Sequence, residues 1–312
     1  MAMRRTLVLL AALLPFPATA AAESPRAIKV STGIKLGQRI YVLQGQRVFI
    51  RGARPFADPG FVTATVMSHG RQVVARSKLR GRVGVVGGVQ LHFTARRTGT
   101  YKVAIRVFKD SDPKHLVAGK LIAVHVVNPK VGFGAHGLGV KLLQKGLHSL
   151  AYVTPQNGSF GPATGRAVLA FRKANNMART MSADHSVLAR LFRHQGGFTL
   201  KYPNAGKHVE FDWSRQVLVF AEGGRPVRIY HASSGKPSTP TVFGSFHFYS
   251  KTWGTNAKGM VDSNYFIRGY AIHGYAEVPP YAASHGCIRV PIPDAASIFN
   301  WIKIGDPIFI YQ

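Results

Sequence analysis

The sequence predicts a multidomain, mainly β protein: a β-sandwich, a small three-helix bundle, and then a mostly antiparallel β domain. Three observations carry that expectation. Short runs of β-branched and apolar residues, broken by glycine and proline, fill the span from Ile28 to Asn128. Between His136 and Gly197 the hydrophobic period becomes helical. From Phe198 to Gln312 strand-like runs return, along with all 3 tryptophans. At 312 residues the chain has room for two or three domains, and 46% hydrophobic residues supply real cores.

Residues 1–22 read as an export signal. Arg4 and Arg5 open it, Leu7 to Leu14 form its apolar core, and Ala18-Thr19-Ala20 or Ala20-Ala21-Ala22 offer a small-residue cleavage site. The run is short for a bilayer span, so a membrane contact is expected only through an uncleaved signal. No cysteine follows the apolar core, which excludes a lipoprotein. The expected place of work is the cell wall, the periplasm or the extracellular space. With a single cysteine, Cys287, there is no disulfide framework, and packing alone must hold the domains.

In residues 28–128 the runs are Ile40 to Leu43, Arg47 to Ile50, Phe61 to Met67, Val73-Val74, Val89 to Phe93, Tyr101 to Phe108 and Leu121 to Val127. Tyr101, Val103, Ile105 and Val107 share one face while Lys102 and Arg106 take the other, the alternation of a half-buried strand. About seven short strands in roughly 100 residues suggest an immunoglobulin-like sandwich. Its histidines, His69, His92, His115 and His125, are scattered, so spacing or docking is the expected role.

Charge is concentrated in the same region. The chain has 41 Lys and Arg against 12 Asp and Glu, and 20 of the bases but 3 of the acids lie between Ser24 and Ala135. An exported basic protein meets anionic envelope polymers and headgroups, not nucleic acid, and its field concentrates them.

Asn128 to Gly134 is a linker by its proline and glycines. In residues 136–197, Val140, Leu143, Leu147 and Leu150 make one helical stripe, and Thr164, Ala167, Val168 and Phe171 a second, opened by Pro162. A third helix, capped by Ser182 or Asp184, buries Val187, Leu188 and Leu191. Leu142-Leu143-Gln144, Asn157 to Thr164 and Ala167 to Phe171 resemble the helical peptidoglycan-binding module found beside many wall enzymes.

Residues 198–312 begin with a hairpin, Gln216 to Ala221 and Pro226 to Tyr230 about Glu222-Gly223-Gly224. Val217 and Val219 point one way and Leu218 and Phe220 the other, so both faces should be covered. Ser245 to Ser250, Tyr265 to Ile272 and Ile308 to Tyr311 add strands. A helix opening at Pro293 or Asp294 should bury Ala296, Ile298, Phe299 and Ile302.

The chemistry converges on Cys287. A leftover cysteine in an exported protein is a pairing partner or a reactive thiol, and the thiolate is the nucleophile. Two imidazoles are candidates to take its proton, His273 and His285. His285 lies two residues before Cys287 and shares its face if the segment is extended. His273 closes the Tyr265 to Ile272 run, so Gly274 marks where the chain leaves the sheet. The N–H groups of Gly286 and Cys287 can form an oxyanion hole. His208, His231 and His247 have no metal-ligand spacing with these, so neither a metal nor a cofactor is expected.

His273-Gly274 followed by Ser284-His285-Gly286-Cys287-x-Arg289 resembles the active-site motif of the L,D-transpeptidase (YkuD-type) catalytic domain. Phe211-Asp212, Gln216, Ser233 to Lys236, Thr239 to Thr241 and Gly244 to Phe246 follow that family's pattern too. The resemblance implies a cross-linker of peptidoglycan stem peptides, with Cys287 as nucleophile, His273 as base and the Gly274 carbonyl orienting it. His285 then backs the base or positions substrate. The gap from His273 to Ser284 is shorter than in many members, and Arg289 stands where some carry Asn. Ser284, Arg289, Tyr249, Tyr270 and Tyr281 are the candidate substrate contacts, with a pair to Asp294 as the other reading of Arg289. An L,D-carboxypeptidase on the same scaffold and a non-catalytic wall-binding protein are the alternatives.

Overall fold

A computed structural model describes residues 29–52, 60–81, 89–109 and 114–312. The export signal expected over residues 1–22 lies outside them. The chain forms two compact units, one holding Phe49–Phe93 and Gly99–Val124, the other Thr32–Val48, Thr94–Thr98 and His125–Gln312.

The amino-terminal strands are β1 (Lys29–Val30), β2 (Ile34–Leu36), β3 (Arg39–Leu43), β4 (Arg47–Gly52), β5 (Gly60–Ser68), β6 (Arg71–Gly81), β7 (Val89–Thr94), β8 (Gly99–Lys109) and β9 (Leu116–Val127). All the apolar runs read from the sequence fall inside them. In the first unit β5 pairs antiparallel with β6 and with β8, setting Val66 opposite Val103. Tyr101, Val103 and Ile105 are buried and Lys102 is exposed, the alternation their spacing dictates.

In the second unit the helices are α1 (Leu138–Ser149), α2 (Pro162–Ala174) and α3 (His185–Leu191). Asp184 caps α3, its carboxylate accepting from the N–H groups of Ser186 and Val187. The three apolar stripes meet in one core, which also takes Ile34, Tyr41 and Leu43. Gln144 lies at its edge, fully buried, donating to Thr164 Oγ1 at 2.9 Å and accepting from the Gly158 N–H at 2.8 Å.

Next come β10 (His208–Asp212), β11 (Val217–Glu222), β12 (Arg225–His231), β13 (Gly244–His247), β14 (Ser250–Thr255), β15 (Val261–Ile267), β16 (Tyr270–Tyr275), β17 (Ile288–Pro291), α4 (Ile292–Trp301) and β18 (Pro307–Tyr311). They build a five-stranded sheet in the order β12-β11-β10-β18-β13 and a four-stranded sheet in the order β14-β15-β16-β17. Each sheet holds one parallel pair, β10 with β18 and β16 with β17, among antiparallel neighbours. Gly223 and Gly224, both at positive φ, close the β11–β12 hairpin as expected. Strand β11 is covered on both faces: Val217 and Val219 join the helical core, while Leu218 and Phe220 join the core between the two sheets.

Three expectations need correction, the first being Ser245 to Ser250, which is not one strand: β13 ends at His247, and β14, in the other sheet, begins at Ser250. The run from Tyr265 to Ile272 is not one strand. It turns at Arg268-Gly269 into the β15–β16 hairpin, because Arg268 takes a left-handed φ of 49° despite apolar residues on either side. His273 therefore sits inside β16, which continues to Tyr275, and Gly274 does not mark an exit. In α4 it is Ala295, not Ala296, that is buried with Ile298, and Phe299 is only half-buried. The helix is turned by one residue because Ala295 packs on Gly274, where an added Cβ would meet Ala295 Cβ at 2.8 Å.

Candidate active site

The parallel register sets Ile272 opposite Ile288 and His273 opposite Arg289. Ile272, Ile288 and Val290 point into the core between the sheets. Alternation then sends Ala271, His273 and Arg289 to the other face, and Cys287, one residue before β17, follows Arg289. The Cys287 thiol lies over the β15–β16 turn, with Sγ 3.7 Å from the Gly269 carbonyl, and also feels the Ala271 backbone. A parallel pair needs a crossover, and residues 276–287 supply it, which is how residues 16 positions apart in sequence, such as His273 and Arg289, become neighbours on adjacent strands.

His273 is buried, and its Nδ1 lies 2.9 Å from the Gly274 carbonyl. A carbonyl only accepts, so the proton is on Nδ1 and Nε2 keeps its lone pair. Desolvation lowers the His273 pKa against the Gly274 hydrogen bond, and the Arg289 charge lowers it further. Burial pushes the Cys287 thiol up, only partly offset by the Ala271 backbone and the charges of Arg289 and Lys258. Both shifts favour the neutral thiol and the neutral imidazole over a standing thiolate–imidazolium pair.

The Arg289 guanidinium lies 3.9 Å above the Tyr275 ring, and that ring meets His273 edge-on at 5.7 Å. The alternative partner, Asp294, is taken by Arg166 through two hydrogen bonds of 3.0 and 3.1 Å. Tyr275 was not anticipated, although its place two residues after His273 puts it on the same face.

A second segment cradles the motif. Ser233 and Arg289 exchange backbone hydrogen bonds of 2.9 and 2.8 Å, and Ser284 and Ala283 both donate to the Ser234 carbonyl at 2.8 Å. Thr239 Oγ1 donates to the Ser284 carbonyl at 3.0 Å and Thr241 Oγ1 to the Gly286 carbonyl at 2.6 Å. Gln216 holds Ser234 from behind, accepting its N–H and donating to its hydroxyl, both at 2.8 Å. At Gly235 a Cβ would lie 2.2 Å from the Thr239 carbonyl oxygen, so only glycine allows this packing. These contacts give a physical reason for the upstream pattern of serines, threonines and glycine.

The remaining candidates separate. The segment 285–287 is bent, with Gly286 at φ +116°, so His285 is not on one extended face with Cys287 but exposed to solvent. Ser284 is buried and structural in its contacts: its hydroxyl donates to the Cys287 carbonyl at 2.5 Å and accepts the Gly286 N–H at 3.1 Å. The Gly286 N–H is thereby committed, which removes it from the expected oxyanion pair and leaves the Cys287 N–H. The Tyr270 ring closes over Gly286, 2.5 Å from where a Cβ would stand. Tyr249 is half exposed and its hydroxyl bonds to the Arg268 carbonyl in the turn beneath Cys287. Tyr281 exposes its ring, while its carbonyl accepts from Ser233 Oγ at 2.6 Å.

Of the other histidines, His208 bonds to Glu210 and His231 to Lys173 and Val278, while His247 is exposed. Among the described residues no group of three or more His, Cys, Asp or Glu side chains is arranged to hold a metal ion.

Comparison with known proteins finds two matching family models. The family model described as "L,D-transpeptidase catalytic domain" (YkuD) matches residues 206–310, and the one described as "Putative peptidoglycan binding domain" matches residues 136–191. The chain belongs to the L,D-transpeptidase catalytic domain family. It is similar to the L,D-transpeptidase of Xylanimonas cellulosilytica (residues 123–326), at 32% identity and a TM-score of 0.53, covering 59% of this chain and 100% of that one. It is also similar to L,D-transpeptidase 1 of Mycobacterium tuberculosis, 33% identical over 121 residues, or 30% of this chain. The match spans 46% of that curated relative's length.

Proposed function

We propose that the chain is a cysteine-dependent L,D-transpeptidase that cross-links peptidoglycan stem peptides. The observation that carries this is the fixed His273 tautomer: Nδ1–H is held by the Gly274 carbonyl, leaving Nε2 basic on the sheet face that Cys287 shares.

His273 Nε2 takes the thiol proton as Sγ attacks the carbonyl of the L-configured centre of meso-diaminopimelate in a tetrapeptide stem. Because burial leaves both groups neutral, proton and bond move together. The Cys287 N–H stabilises the oxyanion. The C–N bond to D-alanine breaks and His273 returns the proton to the departing amine. An amine of a second stem then attacks the thioester, giving its proton to His273, and the C–S bond breaks to restore the thiol. Arg289, held over Tyr275 with no carboxylate among the described residues, is the cation offered to the donor's terminal carboxylate. Tyr249 and Tyr270 line the approach, and His285, at the solvent edge, contacts substrate without touching the thiol.

The helical module supplies glycan contact, and the amino-terminal strands, read as an immunoglobulin-like sandwich over residues 28–128, act as a basic spacer toward anionic envelope polymers. The work site is outside the cytoplasm, after an export signal over residues 1–22. A disaccharide-tetrapeptide incubated with the protein tests the activity by product mass. A cross-linked dimer supports the proposal, tripeptide alone means a carboxypeptidase, and unchanged substrate means a wall-binding protein.

A further inference from the structure

The crossover that delivers Cys287 is held by its own backbone oxygens. His231 donates from Nε2 to the Val278 carbonyl at 2.9 Å, Arg179 from Nη1 to the Pro280 carbonyl at 2.9 Å, and Ser233 from Oγ to the Tyr281 carbonyl at 2.6 Å. Two of these three grips trace back to the helical module. Lys173, on α2, is 2% exposed and donates from Nζ to His231 Nδ1 and to the Ala232 carbonyl, each at 2.8 Å. Arg179 follows α2 and spans from Pro280 to the Ser214 carbonyl, which its Nη2 reaches at 2.8 Å.

A buried lysine is costly unless its donors are used. An apolar side chain of similar length would fill the same space between α2 and β12. What it could not do is donate to His231 Nδ1. That donation forces the imidazole proton onto Nε2, the nitrogen that faces the Val278 carbonyl. The lysine thus fixes a tautomer, and the tautomer fixes the crossover. Arg179 has a comparable logic: its planar fork reaches two carbonyls at once, which one ammonium group does not match.

We propose that Lys173 and Arg179 are positioning residues for the Cys287 crossover, acting through His231 and the carbonyls of Val278 and Pro280. The helical module is then part of the active site's framework as well as a wall contact. The proposal rests on Cys287 being the reacting thiol. A misplacement of about 1 Å at a reacting centre costs up to about a hundredfold in rate, which sets the size of the expected effect.

The test uses the full chain with Arg179→Gln, Arg179→Lys and Lys173→Met, measuring amide hydrogen exchange by segment, steady-state kinetics on the disaccharide-tetrapeptide, and unfolding midpoints. Arg179 is on the exposed surface, so Arg179→Gln carries the test if Lys173→Met does not fold. The expected result is faster exchange confined to residues 277–286, with β10 and β11 unchanged. With it comes a roughly ten- to hundredfold lower kcat at nearly constant KM, and Arg179→Lys in between. Unchanged exchange and kcat, or exchange rising throughout with a falling midpoint, overturns the proposal and leaves these residues as general stabilisers. If the parent protein shows no turnover, the reading of function fails while segmental exchange still decides positioning.

Discussion

At the scale of single residues, the site is defined by what burial does to Cys287 and His273. Desolvation disfavours the charged form of each, so the thiol titrates above its ordinary range and the imidazole below its own. Between those two values both are neutral. In the proposed mechanism the base is therefore ready at a lower pH than an exposed histidine would be, and the thiol gives up its proton only as it attacks. Alkylation of the free protein by iodoacetamide should rise with pH along one limb, centred above the usual cysteine value of about 8.5. A reactive limb below pH 6, as an ion-paired thiolate would give, contradicts this account. The residues of the motif were legible because they are adjacent in sequence and chemically unusual together. Tyr275 and the Ser284 hydroxyl were not. Their roles arise from strand alternation and from a bend at Gly286, neither of which composition reveals.

At the scale of elements, the parallel pairing of β16 and β17 does the arranging. It places His273 opposite Arg289 and lets α4 seat on Gly274. A methyl group at Gly274 would lie 2.8 Å from Ala295 Cβ and 3.2 Å from Ile292 Cα, so Gly274→Ala must displace α4 or the carbonyl that holds His273. Overpacking of this kind costs about 1–3 kcal/mol. The urea midpoint and the turnover rate should both fall, whereas Gly132→Ala, whose Cβ meets nothing within 4 Å, should change neither. Wild-type turnover in Gly274→Ala would show that the carbonyl's position is not critical. The helices, the β11–β12 hairpin and the seven amino-terminal runs were readable from periodicity and turn chemistry. The β15–β16 turn was hidden, because Tyr265 to Ile272 continues its apolar pattern straight through Arg268-Gly269. No local signal announces a parallel pair, since its partner is chosen by the crossover.

At the scale of the whole molecule, the second unit is knit across β11 and β12, which carry a core on each side. The Lys173–His231 contact lies in that junction, and no sequence pattern reveals it, because 58 positions separate the pair. Burial, then the Lys173 charge, lower the His231 pKa to about 3 from 6.5. The sign follows from linkage. Below about 6.5 the unfolded chain binds a proton that the folded chain refuses until about 3, so stability is full above 6.5 and falls across that window. At about 1.4 kcal/mol per pH unit, moving from pH 7 to pH 5 should cost about 2 kcal/mol through this residue. Urea unfolding at the two pH values should show that loss in the parent and a smaller one in His231→Asn. Equal losses would place the acid sensitivity elsewhere.

Whether Cys287 carries the acyl group, as proposed, is met directly by one measurement. Intact-mass analysis after mixing with the disaccharide-tetrapeptide, with no acceptor amine supplied and the reaction quenched in acid, should reveal a covalent adduct. Its mass should equal the donor less D-alanine, it should map to the peptide containing Cys287, and it should be absent from Cys287→Ala. His273→Gln should form it far more slowly, because the thiol then has no neighbouring base. Turnover of the donor with the adduct on another residue, or turnover retained in Cys287→Ala, would contradict the account.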